Sequence, residues 1–324
     1  MIHRPTRRAT LAAAALLADG RAARAQAWPD RPIRFIVPFA PGGSTDLIAR
    51  LVAEGLGERL GQPVIVENRG GAGATLGTQL CAQSRPDGTT VMLSNIASHA
   101  ISPALYPNPG YDPVRDFTHV ALLVTNPSVI EVNPRFEAQT LQELIALSKS
   151  RPDGVDYATS GSGSSNHMLM VRLAQITGAR FNHVPYRGAG PAMTDVIGGT
   201  VPVMADTLPS SIAHIQARSV RALAVSGEAR SPLFPDVPTL RESGVDLVNA
   251  PWYGLSGPAN LPAPIVERLA AETRQVLASD RVRARLAEIG SDVGQMTPAE
   301  YTEHVRVEAA RWAPVVRASG ATFG

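Results

Sequence analysis

Strand-like apolar runs alternate with helical periodicities in two successive sets along this chain, and no other feature constrains the fold as strongly. In the first set residues 32–39 read as strand, 45–60 as a helix ended by Gly61, 63–68 as strand, 74–84 as helix and 89–94 as strand. A turn-rich segment at 111–117 and an apolar run at 120–124 precede the second set. There Thr140 and Glu143 form a capping box ahead of Leu144, Ile145 and Leu147. The pattern then predicts strand at 155–160, helix at 165–177, strand at 180–185 and a short helix at 191–197. Strand at 201–205, helix at 208–217 and strand at 221–226 complete it. Such alternation over short connections implies parallel sheets covered by helices on both faces. A length of 324 residues suffices for two such lobes. Residues 252–255, flanked by Pro251 and Pro258, read as a strand returning the chain to the first lobe. Helices follow at 264–277, from Ser279 or Asp280 to Gly290, and from a second capping box, Thr297 with Glu300, to Gly320. The expectation is an α/β protein with two parallel-type sheets joined by a two-crossing hinge. Lobe 1 would take residues 28–124 and 250–324, and lobe 2 residues 125–249.

Two of the strand-to-helix connections are built alike. Residues 38–46 read Pro-Phe-Ala-Pro-Gly-Gly-Ser-Thr-Asp, and residues 160–167 read Ser-Gly-Ser-Gly-Ser-Ser-Asn-His. Each empties into a helix start, where unpaired N–H groups and the positive dipole end favour an anion. Glycines admit an anionic group close to the backbone, and the serines and threonine add hydroxyls. Ligands of such sheets sit beyond the carboxyl ends of the strands and in clefts between domains. Two facing termini would therefore hold one anion from both lobes. The candidate contacts are Phe39, Ala40, Gly43, Ser44, Thr45 and Asp46 in the first loop. In the second they are Ser160, Ser162, Ser164, Ser165, Asn166 and His167. Asn95, Ser98 and His99, and in the second lobe Tyr186, Arg187 and Asp206, follow strands and are expected to rim the same cleft. Asp46 and His167 also admit plainer readings, as a dipole-compatible carboxylate and a helix-terminus hydrogen-bonder.

The remaining features mainly exclude. Arg4, Arg7 and Arg8, the apolar run 9–18 and Ala25-Gln26-Ala27 make an export signal, cleaved after Ala27, with the Sec and Tat routes both open. The run is too short to span a bilayer, so the periplasm is the expected compartment. Residues 1–27 hold five arginines against one aspartate, and their removal turns a formal charge of +2 into −2. No basic stripe remains to bind nucleic acid. Cys81 is the only cysteine, so no intrachain disulfide forms, and its helical setting reads as a small buried residue. Gly71, Gly73 and Gly77 are spaced one residue too long for a dinucleotide fingerprint, and no phosphate-loop or G-x-S-x-G motif occurs. The histidines lack metal-ligand spacing, so neither metal nor other cofactor is expected. A Ser44–His167–Asp46 triad, and with it a hydrolase, is disfavoured because most such triples in a sequence are accidental.

In their order along the chain these residues resemble the solute-binding receptors of tripartite tricarboxylate transporters, often called Bug receptors. The resemblance runs from Trp28 to about Gly320. It is carried by Trp-Pro-Asp-Arg-Pro-Ile at 28–33, Val-Pro-Phe-Ala-Pro-Gly-Gly-Ser-Thr-Asp at 37–46 and Gly-Gln-Pro-Val-Ile-Val-Glu-Asn-Arg at 61–69. Gly-Ala-Gly at 71–73, Pro-Asp-Gly at 86–88 and Tyr-Asp-Pro-Val-Arg-Asp-Phe at 111–117 continue it. His-Val-Pro-Tyr-Arg-Gly at 183–188 and Pro-Asp-Val-Pro-Thr at 235–239 complete it. It implies a periplasmic, two-lobed binding protein of the type II, Venus-flytrap kind, not an enzyme and expected to be a monomer. Its ligand would be a small carboxylate: a di- or tricarboxylate, an amino acid or an aromatic acid. The resemblance assigns that carboxylate largely to backbone and hydroxyl groups, here Ala40, Gly43, Ser44, Thr45 and Asp46 with Ser160, Ser164, Ser165, Asn166 and His167. Delivery to a small and a large membrane subunit is implied, with presentation to a sensor kinase as the alternative. The chain departs from the family pattern at Gly70, Ser162, Asn166, Ala205 and Thr207. Ala205 is expected to enlarge the second-lobe side of the pocket.

Overall fold

A computed structural model describes residues 28–321 of the chain, so the export signal and its cleavage site lie outside the described residues. The order of elements begins β1 (Ile33–Val37), α1 (Ser44–Leu60), β2 (Val64–Asn68), α2 (Thr75–Ala82), β3 (Thr90–Asn95), α3 (Ser102–Leu105) and β4 (Phe117–Thr125). It continues with β5 (Ser128–Val132), α4 (Leu141–Ser150), β6 (Val155–Thr159), α5 (Ser165–Thr177), β7 (Phe181–Pro185) and α6 (Ala189–Gly198). Next come β8 (Val203–Thr207), α7 (Leu208–Gln216), β9 (Arg221–Val225) and β10 (Trp252–Pro258). The chain ends in α8 (Ala263–Ala278), α9 (Asp280–Glu288), β11 (Asp292–Val293) and α10 (Pro298–Ser319).

These strands form two sheets, ordered β11-β4-β10-β3-β1-β2 and β7-β6-β8-β5-β9. The predicted parallel pairing holds within β2-β1-β3 and β7-β6-β8. Both sheets are nevertheless mixed: β10 runs antiparallel to β3 and β4, and β5 antiparallel to β8 and β9. The two reversed strands are those that enter each sheet from the opposite lobe. Neither arrives by the helical crossover within its own sheet that a parallel neighbour needs. The chain leaves the first sheet after Thr125 and returns from the second through residues 226–251. The two crossings lie side by side, with the Asn126 N–H donating to the Pro251 carbonyl at 2.9 Å and the Asn249 N–H to the Ser226 carbonyl at 2.9 Å.

Local chemistry sets the element ends. Gly61 takes the left-handed conformation (φ 70°) that closes α1. Thr140 accepts from the Glu143 N–H at the start of α4, and Thr297 and Glu300 form a complete capping box on α10. The first lobe's core packs β1, β3 and β4 against α1, α8 and α9 around Phe35, Ile48, Val52, Leu93 and Leu269. The second lobe's core joins Ile130, Tyr157, Leu173 and Val203. Cys81 is buried among Ile36, Met92, Tyr111 and Phe117, and burial pushes its thiol pKa up, so it packs as an apolar residue. No helix among the described residues is long and apolar enough to cross a membrane.

Candidate functional site

Four helices begin at one small cavity between the sheets. Ser44 and Thr45 open α1 from lobe 1, and Ser164 and Ser165 open α5, Ala189 opens α6 and Thr207 precedes α7 from lobe 2. Asn95, Ile96 and Ala97, leaving β3, complete the wall with Phe39, Gly43, Ser160, Asn166, Asp206 and Tyr253. The first amides of a helix have no intrahelical acceptor, so these starts aim free N–H groups and positive dipole ends at a common point. The enclosed space is about 30 Å³, room for about two waters. It adjoins a wider chamber of about 320 Å³ that shares Phe39 and Ser160 and is lined also by residues 70–74, Tyr106, Ser162, Tyr186 and Arg187.

The lobes are closed on each other. The Ala40 N–H donates across the gap to the Arg187 carbonyl at 3.0 Å, and the Tyr106 hydroxyl to the Ser162 carbonyl at 3.3 Å. At Gly70 an added Cβ would sit 2.7 Å from that same Arg187 carbonyl, so only a residue without a side chain allows this approach. Ser44 forms the main polar latch. Its Oγ lies 3.1 Å from the Thr207 carbonyl and 2.8 Å from Ser210 Oγ, and accepts the Ser210 N–H at 3.1 Å.

Behind the latch sits a buried carboxylate chain. Ser210 donates to Asp206 Oδ2 at 2.5 Å, while the Thr207 N–H donates to Oδ1 at 2.7 Å. Burial pushes the Asp206 pKa up to about 6 against these donors. Beyond it, Ser211 lies 3.4 Å from Asp206 Oδ2 and 2.7 Å from Oε1 of the fully buried Glu131. Burial, and then the Asp206 charge, drive the Glu131 pKa well above its ordinary value. One serine proton cannot serve two carboxylates. A protonated Glu131 donating to Ser211, which donates on to Asp206, satisfies the chain.

Facing the cavity are polar groups with capacity to spare. The hydroxyls of Thr45, Ser160 and Ser165 make no hydrogen bond to any described residue. Ser164 accepts the His167 N–H at 3.1 Å and keeps its own proton to donate. Asn95 Oδ1 accepts the Ser98 N–H at 2.9 Å, which turns the amide NH₂ the other way. Asn166 Oδ1 accepts from Ser128 Oγ at 2.8 Å, and Ser128 in turn accepts from Asn249 Nδ2 at 2.9 Å, tying the cavity wall to both hinge crossings. Among the described residues no lysine or arginine lines the inner cavity, and Asp206 is the single charged one that does. An anion bound there is held by neutral donors and dipoles.

The structure thus gathers Phe39, Gly43, Ser44, Thr45, Asn95, Ser160, Ser164, Ser165, Asn166 and Asp206 around the inner cavity. Ser162 and Tyr186 line the outer chamber instead. Other candidates face elsewhere. Ala40 contributes the interlobe backbone bond described above. Asp46 turns back to accept from the Gly42 N–H at 3.1 Å, Arg50 at 3.0 Å and Asn68 at 3.0 Å. Burial raises its pKa, and these donors outweigh that and hold it below the usual carboxylate value. Ser98 bonds within its own turn and to His99 Nδ1 at 2.7 Å. His99 is fully buried against Phe117, with ring centroids 4.7 Å apart, and does not reach the rim. His167 accepts the Gly163 N–H through Nδ1 at 3.2 Å and stacks on His183 at 4.0 Å. Burial lowers its pKa to about 4, so it is neutral at physiological pH. No hydrogen bond joins any two of Ser44, Asp46 and His167, so they form no catalytic triad. Ala205 packs into the lobe 2 core, on the sheet face opposite Asp206, and does not widen the cavity. Ile96, Ala97, Ala189, Thr207 and Tyr253 escaped the sequence reading. Thr207 and Ala189 carried a usable signal, since each stands at a strand-to-helix turn.

Two α/β lobes closing on a shared set of helix starts define a hinged solute receptor. Residues 48–321 match the family described as the tripartite tricarboxylate transporter family receptor, TctC. The chain is 38% identical over 299 residues to protein BugT of Bordetella pertussis, covering 92% of each. It superposes with a TM-score of 0.88 on the periplasmic binding protein BugD, at 33% identity over 92% of this chain and 100% of that one. A TM-score of 0.88 also relates it to R. palustris Rpa4515 solved with adipate, at 32% identity over 92% and 100%. The chain belongs to the TctC, or Bug, family of periplasmic solute-binding receptors, which are binding proteins and not enzymes.

Proposed function

We propose that this receptor captures a small carboxylate in the periplasm and delivers it to the membrane subunits of a tripartite tricarboxylate-type transporter. The observation that supports the reading most is the set of uncommitted donors, the Thr45, Ser160 and Ser165 hydroxyls and the Asn95 amide, at helix starts from both lobes. Hydrogen bonds to a charged group contribute about 1.5–3 kcal/mol each. Several together reach the ~8 kcal/mol that micromolar capture requires. The inner cavity takes the carboxylate and the outer chamber the rest of the molecule. The lobes part to admit it, and contacts from both lobes then favour the closed form. Adipate in the Rpa4515 structure supports a linear carboxylate as the ligand class. Membrane subunits as partners, and export directed by residues 1–27, belong to the same reading. A thermal-shift screen of the protein starting at Trp28 against di- and tricarboxylates, amino acids and aromatic acids tests it. Stabilisation by a subset of carboxylates is expected, and a flat response across the panel would refute the reading.

A further inference from the structure

Lobe 1 holds a second cavity, of about 350 Å³, walled by β4, α8, α9 and the segment after β11. Its floor is apolar, with Leu122, Leu277 and Met296 among the lining residues. Among the described residues, Arg274 and Arg283 are the only charged ones that line it, and no carboxylate does. Neither arginine makes an ion pair or a side-chain hydrogen bond to a described residue, while their neighbours are engaged. Arg281 pairs with Glu54 and Glu58, Arg285 with Glu288, and Glu272 with Arg59. A third polar group is also left over. Thr273 lines the cavity, and its Oγ1 is buried without a hydrogen-bond partner. Thr78 and Thr177, within other helices, instead bond the carbonyl four residues back, to Ala74 at 2.8 Å and to Leu173 at 2.7 Å.

From this combination we infer that lobe 1 carries a second binding site, for a small organic anion with an apolar body. The carboxylate would pair with Arg274 and Arg283 and the body would cover the apolar floor. Guanidinium groups suit such an anion because they are always charged and bind carboxylate bidentately. The volume falls in the range of small-molecule pockets. Every wall belongs to lobe 1, so the bound anion has the same contacts whether the lobes are open or closed. It therefore leaves closure unchanged. The inference does not rest on the reading of the interlobe cleft.

The test uses 4-fluorobenzoate as the probe, followed by ¹⁹F NMR on the protein starting at Trp28. Saturable binding is expected, about tenfold or more weaker in the Arg274→Ala/Arg283→Ala double variant. Both substituted side chains are exposed, so the fold survives their loss. A Gly43→Val variant, whose Cβ would meet Ala189 of the opposite lobe at 3.1 Å and so obstruct the interlobe cavity, should bind the probe as the unaltered protein does. Three results would each overturn the inference: no saturable binding up to about 10 mM, wild-type affinity in the double variant, or loss of binding in Gly43→Val.

Discussion

Ser44, Thr45 and Asp46 are consecutive at one helix start, yet their side chains serve three different purposes. Ser44 latches the lobes, Asp46 holds its own loop, and Thr45 keeps an uncommitted hydroxyl at the cavity. The sequence placed all three at a helix start but could not divide them, because the division depends on which groups the other lobe brings up. Thr45→Val should therefore weaken carboxylate affinity by about tenfold, the loss of one charge-assisted bond, by calorimetric titration. The melting temperature should barely change, since no internal bond is lost. The buried titratable groups give a prediction with opposing signs. His167 and His183, lowered by burial to about 4 and about 3, take up protons more readily once unfolded, so they remove stability as pH falls from 6.5 toward 4. Asp206, raised to about 6, binds its proton more tightly in the fold and adds stability as pH falls from about 6 toward 3.8. Its share is about 3 kcal/mol at full protonation. Asp206→Asn should accordingly steepen the loss of thermal stability between pH 6 and 4.5. A shallower loss in the variant would contradict the assignment.

At the scale of elements, most of the fold was legible because caps and periodicity agree. The capping box of Thr297 and Glu300 forms as its spacing predicts, and Gly61 and Gly178 end helices where the apolar pattern stops. What stayed hidden was β5, whose five residues are all buried. Glu131 interrupts its apolar run, and only the Ser211 contact and an elevated pKa make that carboxyl tolerable inside a sheet. The antiparallel entry of β5 and β10 was equally invisible, since strand direction follows from how the crossings return and not from side-chain alternation. The caps themselves are testable. Thr297→Ala and Ser164→Ala should each cost about 1 kcal/mol of stability in denaturant unfolding. Only Ser164→Ala should also weaken ligand binding, because its hydroxyl alone stands at the cavity.

Across the whole molecule, the latch of Ser44 with Ser210 and the hinge chain from Asn166 through Ser128 to Asn249 connect site, hinge and closure. Gly70 is one of the positions where this closed arrangement leaves no room for a side chain. Gly70→Ala places a methyl against the Arg187 carbonyl of the opposite lobe and against the Phe39–Ala40 backbone of its own, and should enlarge the radius of gyration measured by small-angle X-ray scattering. The most direct measurement is a crystal structure of the protein grown with whichever carboxylate stabilises it most. The carboxylate is expected in the inner cavity, within hydrogen-bond reach of the α1 start at Ser44 and Thr45 and of the α5 start at Ser164 and Ser165. A carboxylate bound to one lobe alone, or seated on arginines outside the cleft with the inner cavity still holding only water, would contradict it.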